Sequence, residues 1–135
     1  MAVHLTEMDI VTRKQLNILI QLAESDKHFS QLERERIFEL ARKRKFPLES
    51  VKELIRNPEP IGSFGALSKD QKFDYLYSSI DIMLVDKKIF DSEILFCKDI
   101  AIKLGFKKDV VEFLREEIYN HEKDDLKKII FADFT

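Results

Sequence analysis

Ala23-Glu24-Ser25-Asp26-Lys27-His28-Phe29-Ser30-Gln31-Leu32-Glu33 is followed, sixty positions on, by a second stretch of the same kind, Val85-Asp86-Lys87-Lys88-Ile89-Phe90-Asp91-Ser92-Glu93. Asp26 aligns with Asp86, Lys27 with Lys87, Phe29 with Ile89 and Glu33 with Glu93. The register continues without a gap: Leu40 meets Ile100, Ala41 meets Ala101, Phe46 meets Phe106, Val51 meets Val111 and Leu54 meets Leu114. Two amphipathic helices coincide by chance at every third or fourth apolar position. They have no reason to coincide at polar turn residues as well. The pattern therefore predicts a duplicated three-helix unit whose copies bury their apolar faces on each other.

Working outward from these turns, the rest of the chain reads as helix. Leu16, Leu19, Ile20 and Ala23 repeat at helical spacing within a first helix over about 6–25. Ser30-Gln31-Leu32-Glu33 has the form of a capping box that opens a second helix, with Ile37, Leu40 and Ala41 inward and Arg42-Lys43-Arg44-Lys45 at its negative end. Pro47 opens a third helix carrying Val51, Leu54 and Ile55, which must stop before Pro58. The pattern restarts at Ser68-Lys69-Asp70-Gln71, a second capping-box candidate, with Leu76, Ile80, Met83 and Leu84 behind it. Ile94, Cys97, Ile100, Ala101 and Leu104 mark the next helix, and Gly105 suits the left-handed residue after its end. Val110, Val111, Leu114 and Ile118 mark another. The predicted fold is all-α: a bundle of six to seven helices made from two pseudo-repeated three-helix units in a single domain spanning 1–135. Repeat one covers about 6–57, a Pro/Gly linker 58–67, repeat two about 68–120, and a closing helix 122–131.

Composition excludes several function classes. At 135 residues, with 44% hydrophobic and 36% charged side chains, the chain can bury its own core. It has 11 Phe and no Trp, so Phe must supply the bulky core groups. Its formal charge is -2, which gives no global attraction to nucleic acid. The run Arg42-Lys43-Arg44-Lys45 turns through ~100° per residue on a helix and cannot face one groove, so it reads as a solvated helix end and no nucleic-acid partner is expected. Cys97 stands alone in an apolar helical pattern and reads as core filler. No apolar run approaches the ~18 residues of a membrane span, and the first residues lack the layout of a signal peptide, which makes the cytoplasm the expected location.

The two quoted turns resemble the signature of the TerB-like tellurite-resistance family, and the similarity extends over roughly 15–117. The resemblance implies a bacterial, cytoplasmic, all-helical protein with this duplication, connected to tellurite and other stress responses, whose acidic turns are suspected of holding a divalent metal. In that family Gly usually follows the turn Asp, where this chain has Lys27 and Lys87. A left-handed Lys there costs on the order of 1 kcal/mol relative to Gly.

The candidate metal ligands are Asp26 with Glu33 in the first turn, and Asp86, Asp91 and Glu93 in the second. Hard cations such as Mg²⁺ and Ca²⁺ need several oxygen donors, which carboxylates supply, although the spacing is not that of an EF-hand loop. The competing reading is structural: Asp26 satisfies turn amides and Glu33 completes a capping box, so both recur without any ligand. His4, His28 and His121 are dispersed and lack zinc-site spacing. Nucleophile-elbow, phosphate-loop and H-E-x-x-H motifs are missing from the sequence, so no enzyme is expected. Ile61, Phe64 and Leu67 of the linker, with Phe131 and Phe134, either cover the core or form an apolar patch for a protein partner. The functional expectation is thus a non-enzymatic stress-response or scaffold protein with a divalent cation as candidate cofactor. The alternative is a metal-free interaction module using the linker and the C-terminal aromatics.

Overall fold

Two serines start the second helix of one copy and the first helix of the other by the same device. Ser30 Oγ accepts from the Glu33 amide at 3.1 Å while Glu33 Oε1 accepts from the Ser30 amide at 3.0 Å. Ser68 Oγ accepts from the Gln71 amide at 3.1 Å while Gln71 Oε1 accepts from the Ser68 amide at 2.9 Å. Each pair satisfies donors that a helix start otherwise leaves unmet. A computed structural model describes residues 7–135, and in it these caps sit within seven helices: α1 (Glu7–Glu24), α2 (Gln31–Lys43), α3 (Leu48–Arg56), α4 (Lys69–Val85), α5 (Asp91–Lys103), α6 (Val110–Glu117) and α7 (Lys123–Asp133). Among the described residues there is no strand, so the all-α expectation holds. The expected helix start at residue 6 lies outside the described residues, as does His4.

The helix ends carry the duplication too. α2 and α5 keep the sixty-residue register at both ends. After α2, Lys45 has φ 54°, and after α5, its counterpart Gly105 has φ 93°. In both copies the next Phe amide reaches back to an Ala carbonyl, Phe46 to Ala41 and Phe106 to Ala101, each at 2.9 Å. Lys45 and Gly105 bond in turn to Arg42 and Ile102. This is the Schellman closure, with the buried Phe packed where the motif wants its hydrophobic contact. Pro47 is the residue that introduces α3, and α3 stops at Arg56, before Pro58.

The core lies where α1 and α4, equivalent helices of the two copies, pack on one another. Leu16, Ile20 and Leu22 on one, and Leu76, Ile80 and Ile82 on the other, are all buried at matching positions. α1 also touches α5, and α2 touches α4, so each copy closes on the other as well as on itself. The linker crosses α1, where Asn17 exchanges two hydrogen bonds with the main chain of Glu59, both 2.9 Å. An amide side chain thereby satisfies backbone that has no ladder or helix to join. Phe64 and Leu67 are buried, and Phe64 meets the Tyr75 ring edge-on at 6.1 Å. At the other end, Leu126 and Ile130 seat α7, Phe131 lies between Phe73 and Phe106, and Phe134 stacks on Phe113 at 4.9 Å. The closing helix runs two residues past its expected end because those aromatics have partners to reach.

Candidate cation-binding turns

Each turn begins with an aspartate that folds back on its own backbone. Asp26 Oδ1 accepts from the His28 amide at 2.8 Å, and Asp86 Oδ1 accepts from the Lys88 amide at 3.2 Å. These are Asx turns, the use of Asp that the structural reading of the sequence named. Lys27 takes the left-handed conformation, φ 63°, where the resembled family favours Gly. In the second turn Asp86 is extended, φ -93° and ψ 137°, and Lys87 is not left-handed. The expected cost of a left-handed Lys therefore falls on one turn only.

Glu33 and Glu93 occupy the same position in the first turn of α2 and α5, and both are almost fully buried, at 3% and 2% exposure. Glu33 Oε1 takes the Ser30 amide and Glu93 Oε1 takes the Phe90 amide, the latter at 3.2 Å. Phe90 has no hydroxyl to return the bond. Burial raises the Glu33 carboxyl above its ordinary range; hydrogen bonds from the Ser30 backbone and hydroxyl oppose this, and the charges of Asp26 and Asp86 add to it. Burial also raises Glu93, to about 7, against one backbone bond from Phe90, and Glu33, Asp26 and Asp86 push it further. Asp26, Glu33, Asp86 and Glu93 therefore share one neighbourhood, drawn from both copies. The helix packing, rather than either turn alone, creates it.

Asp91, the fifth candidate, does not join them. It is exposed in the first turn of α5 and is not among the charges acting on Glu93. Among the described residues no three His, Cys, Asp or Glu side chains are arranged to hold an ion together. Each of the four gathered carboxylates has one oxygen accepting a backbone amide, and a carboxylate retains further lone pairs on both oxygens. Chemically the cluster can take up protons, or share a hard cation if its free oxygens turn together.

The other sequence candidates separate cleanly. His28 is exposed, and His121 pairs with Glu117 at 2.8 Å. Cys97 is fully buried, 4.0 Å from Met83 Sδ, and burial together with the Glu93 charge pushes its thiol up, which leaves it inert. The linker and C-terminal aromatics pack on the core rather than forming a patch. Exposed apolar side chains are spread over several helices, Met8 and Ile10 on α1 and Leu32 on α2 among them; on α5, Leu95 and Ile102 are 61% and 55% exposed. The basic run is not wholly solvated: Arg44 turns inward and pairs with Asp74 at 2.5 Å. That partner lies 30 residues away, and no local spacing signals it. Among the described residues no helix is long and apolar enough to cross a membrane. Compared with protein-family models, curated proteins and solved structures, the chain matches none.

Proposed function

We propose that this chain is a non-enzymatic, TerB-like stress-response or scaffold protein of the bacterial cytoplasm, and that its two acidic turns respond jointly to a divalent cation. The observation that supports this reading is that the buried Glu93 carboxyl feels the charges of Glu33, Asp26 and Asp86 from both copies. A lone turn carries two carboxylates, too few for a hard cation, whereas the duplicated pair brings four. Burying like charges together is unfavourable, and a divalent cation relieves that cost directly. Because burial and the neighbouring carboxylates push Glu93 up to about 7, protons and cations compete for the same group.

Thermal unfolding with Mg²⁺, Ca²⁺, Mn²⁺ or Zn²⁺ tests the proposal. A cation present at about a hundred times its Kd adds about 2.7 kcal/mol of stability. The rise in Tm is expected at pH 8, to shrink at pH 6, and to be lost in Glu93→Gln. If none of the four ions moves Tm at pH 8, the cation role is wrong. One observation favours a second reading, a metal-free interaction module: the apolar stripe of Leu95 and Ile102 on α5, in place of the linker and aromatics. Replacing both by Lys abolishes partner binding in that case and leaves any cation response intact.

A further inference from the structure

The inward turn of Arg44 opens a second site, remote from the acidic turns in chemistry and composition. Between α2 and α4, capped by Tyr119 and Lys123, lies a cleft of about 390 Å³. That is the size of small-ligand sites, which run from roughly 300 to 1,000 Å³. Its apolar floor is Leu19, Leu40 and Ile82.

Charge within the cleft is unevenly met. Asp74 alone serves two cations, Arg44 at 2.5 Å and Lys123 at 2.9 Å. Burial raises the Asp74 carboxyl, but the bonds from Lys123 and Arg44 outweigh it and hold the group below the usual carboxylate range. Asp81 answers Arg36 at 3.0 Å and accepts the Tyr119 hydroxyl at 2.9 Å. Lys43 lines the same wall and has no ion-pair partner among the described residues. Counting the rim carboxylate Glu39, four cations face three carboxylates, an excess of one positive charge. Arg44 and Lys123 meet at Asp74, and Lys43 lines the same cleft with no such partner among the described residues.

Two phenols, Tyr77 and Tyr119, line the cleft. Lys123 Nζ sits 4.7 Å from the centroid of the Tyr77 ring, and the Tyr77 hydroxyl makes no hydrogen bond among the described contacts. Tyr119 is 64% exposed at the mouth. Behind Asp74, the buried Gln15 amide donates to Asp74 at 3.1 Å and to Ser78 at 3.0 Å, while its Oε1 has no partner among the described residues. A buried orphan of this kind marks an incomplete polar network.

We propose that this cleft binds a small organic anion, its acidic group held by Lys43, Arg44 and Lys123 and its flat body laid against Tyr77 and Tyr119. An inorganic ion would leave the apolar floor and the rings uncovered, and an uncharged ring would leave the surplus cation unanswered.

An amide NMR titration of the full chain decides it, with benzoate and phenyl phosphate as probes and inorganic phosphate and benzyl alcohol as controls. Both aromatic anions are expected to shift residues 36–44, 74–82 and 119–123 along one saturating curve, with the controls weaker at equal concentration. Lys43→Gln removes an exposed, unpaired charge and leaves the fold intact by circular dichroism. It is expected to weaken the aromatic anions about fivefold and benzyl alcohol not at all. Tyr119→Ala weakens the aromatic anions and leaves inorganic phosphate unchanged. The proposal fails if neither aromatic anion saturates by about 10 mM, a Kd too weak for a formed site. It fails equally if inorganic phosphate matches them, or if Lys43→Gln changes nothing.

Discussion

The two acidic turns are built on one plan, and what separates their buried glutamates is a single hydroxyl. Ser30 answers Glu33 with a second hydrogen bond, and Phe90, sixty residues on, has none to give Glu93. The two glutamates are equally buried and face the same aspartates. Glu93 nevertheless stands as high as about 7, with one opposing hydrogen-bond partner group fewer than Glu33. Both copies carry the carboxylate, whose oxygen the helix start needs, but only the first carries the serine. The acidity of a repeated residue is thus set by its unrepeated neighbour.

The largest effect is expected from the part of the plan where the copies agree. Ile20 and Ile80 are equivalent and fully buried, so Ile20→Ala and Ile80→Ala should each cost about 2–4 kcal/mol. Urea unfolding should show one transition for both; two separate transitions would break the picture of copies closing on each other. Next comes the pair of glutamates. Glu93 is raised in the fold from an ordinary 4.5 to about 7, so its contribution to stability is greatest below the ordinary value and is lost as pH rises through 7. Glu93→Gln, whose amide oxygen can still accept from Phe90, should therefore gain roughly 1–2 kcal/mol at pH 8 and flatten the pH profile. Glu33→Gln should gain less, and equal gains would mean the Ser30 hydroxyl does not matter. The smallest effect tests that hydroxyl directly. Ser30→Ala should cost about 1 kcal/mol in chemical denaturation. Phe90→Ser should complete the second capping box, recover a few tenths of a kcal/mol, and bring the Glu93 titration, followed by carboxyl NMR, down toward that of Glu33.

Local signals in the sequence were enough for the fold. Ser30 and Ser68 announce their capping boxes, Pro47 and Gly105 mark one helix start and one helix end, and the apolar stripes fix what faces inward. Lys45 shows where local reading stops: only its alignment with Gly105 betrays a left-handed residue, because Lys itself gives no such sign. The candidate site was half legible. Asp26, Glu33, Asp86 and Glu93 follow from the repeat, but Asp91 does not belong with them, since two residues along a helix is a rotation of ~200° and turns it away from Glu93. That the four act on one another across the copies depends on how α1 packs on α4 and α5, and α2 on α4, which no spacing encodes. The same holds for Asn17 on Glu59 and Arg44 on Asp74, pairs 42 and 30 residues apart. The outer faces of α2 and α5 also diverge where the register would match them. Glu35 and Arg42 become Leu95 and Ile102, so solvent exposure was retained while polarity was not.

The aromatic inventory has an optical corollary. With no Trp and three Tyr, the chain owes nearly all of its ultraviolet fluorescence to phenols, Phe being a weak emitter. Tyr75 is buried, its hydroxyl donated to the Val11 carbonyl, while Tyr77 and Tyr119 stand in the cleft wall. Two of the three lamps are therefore set around one opening, and whatever enters it changes the light of the unlabelled protein.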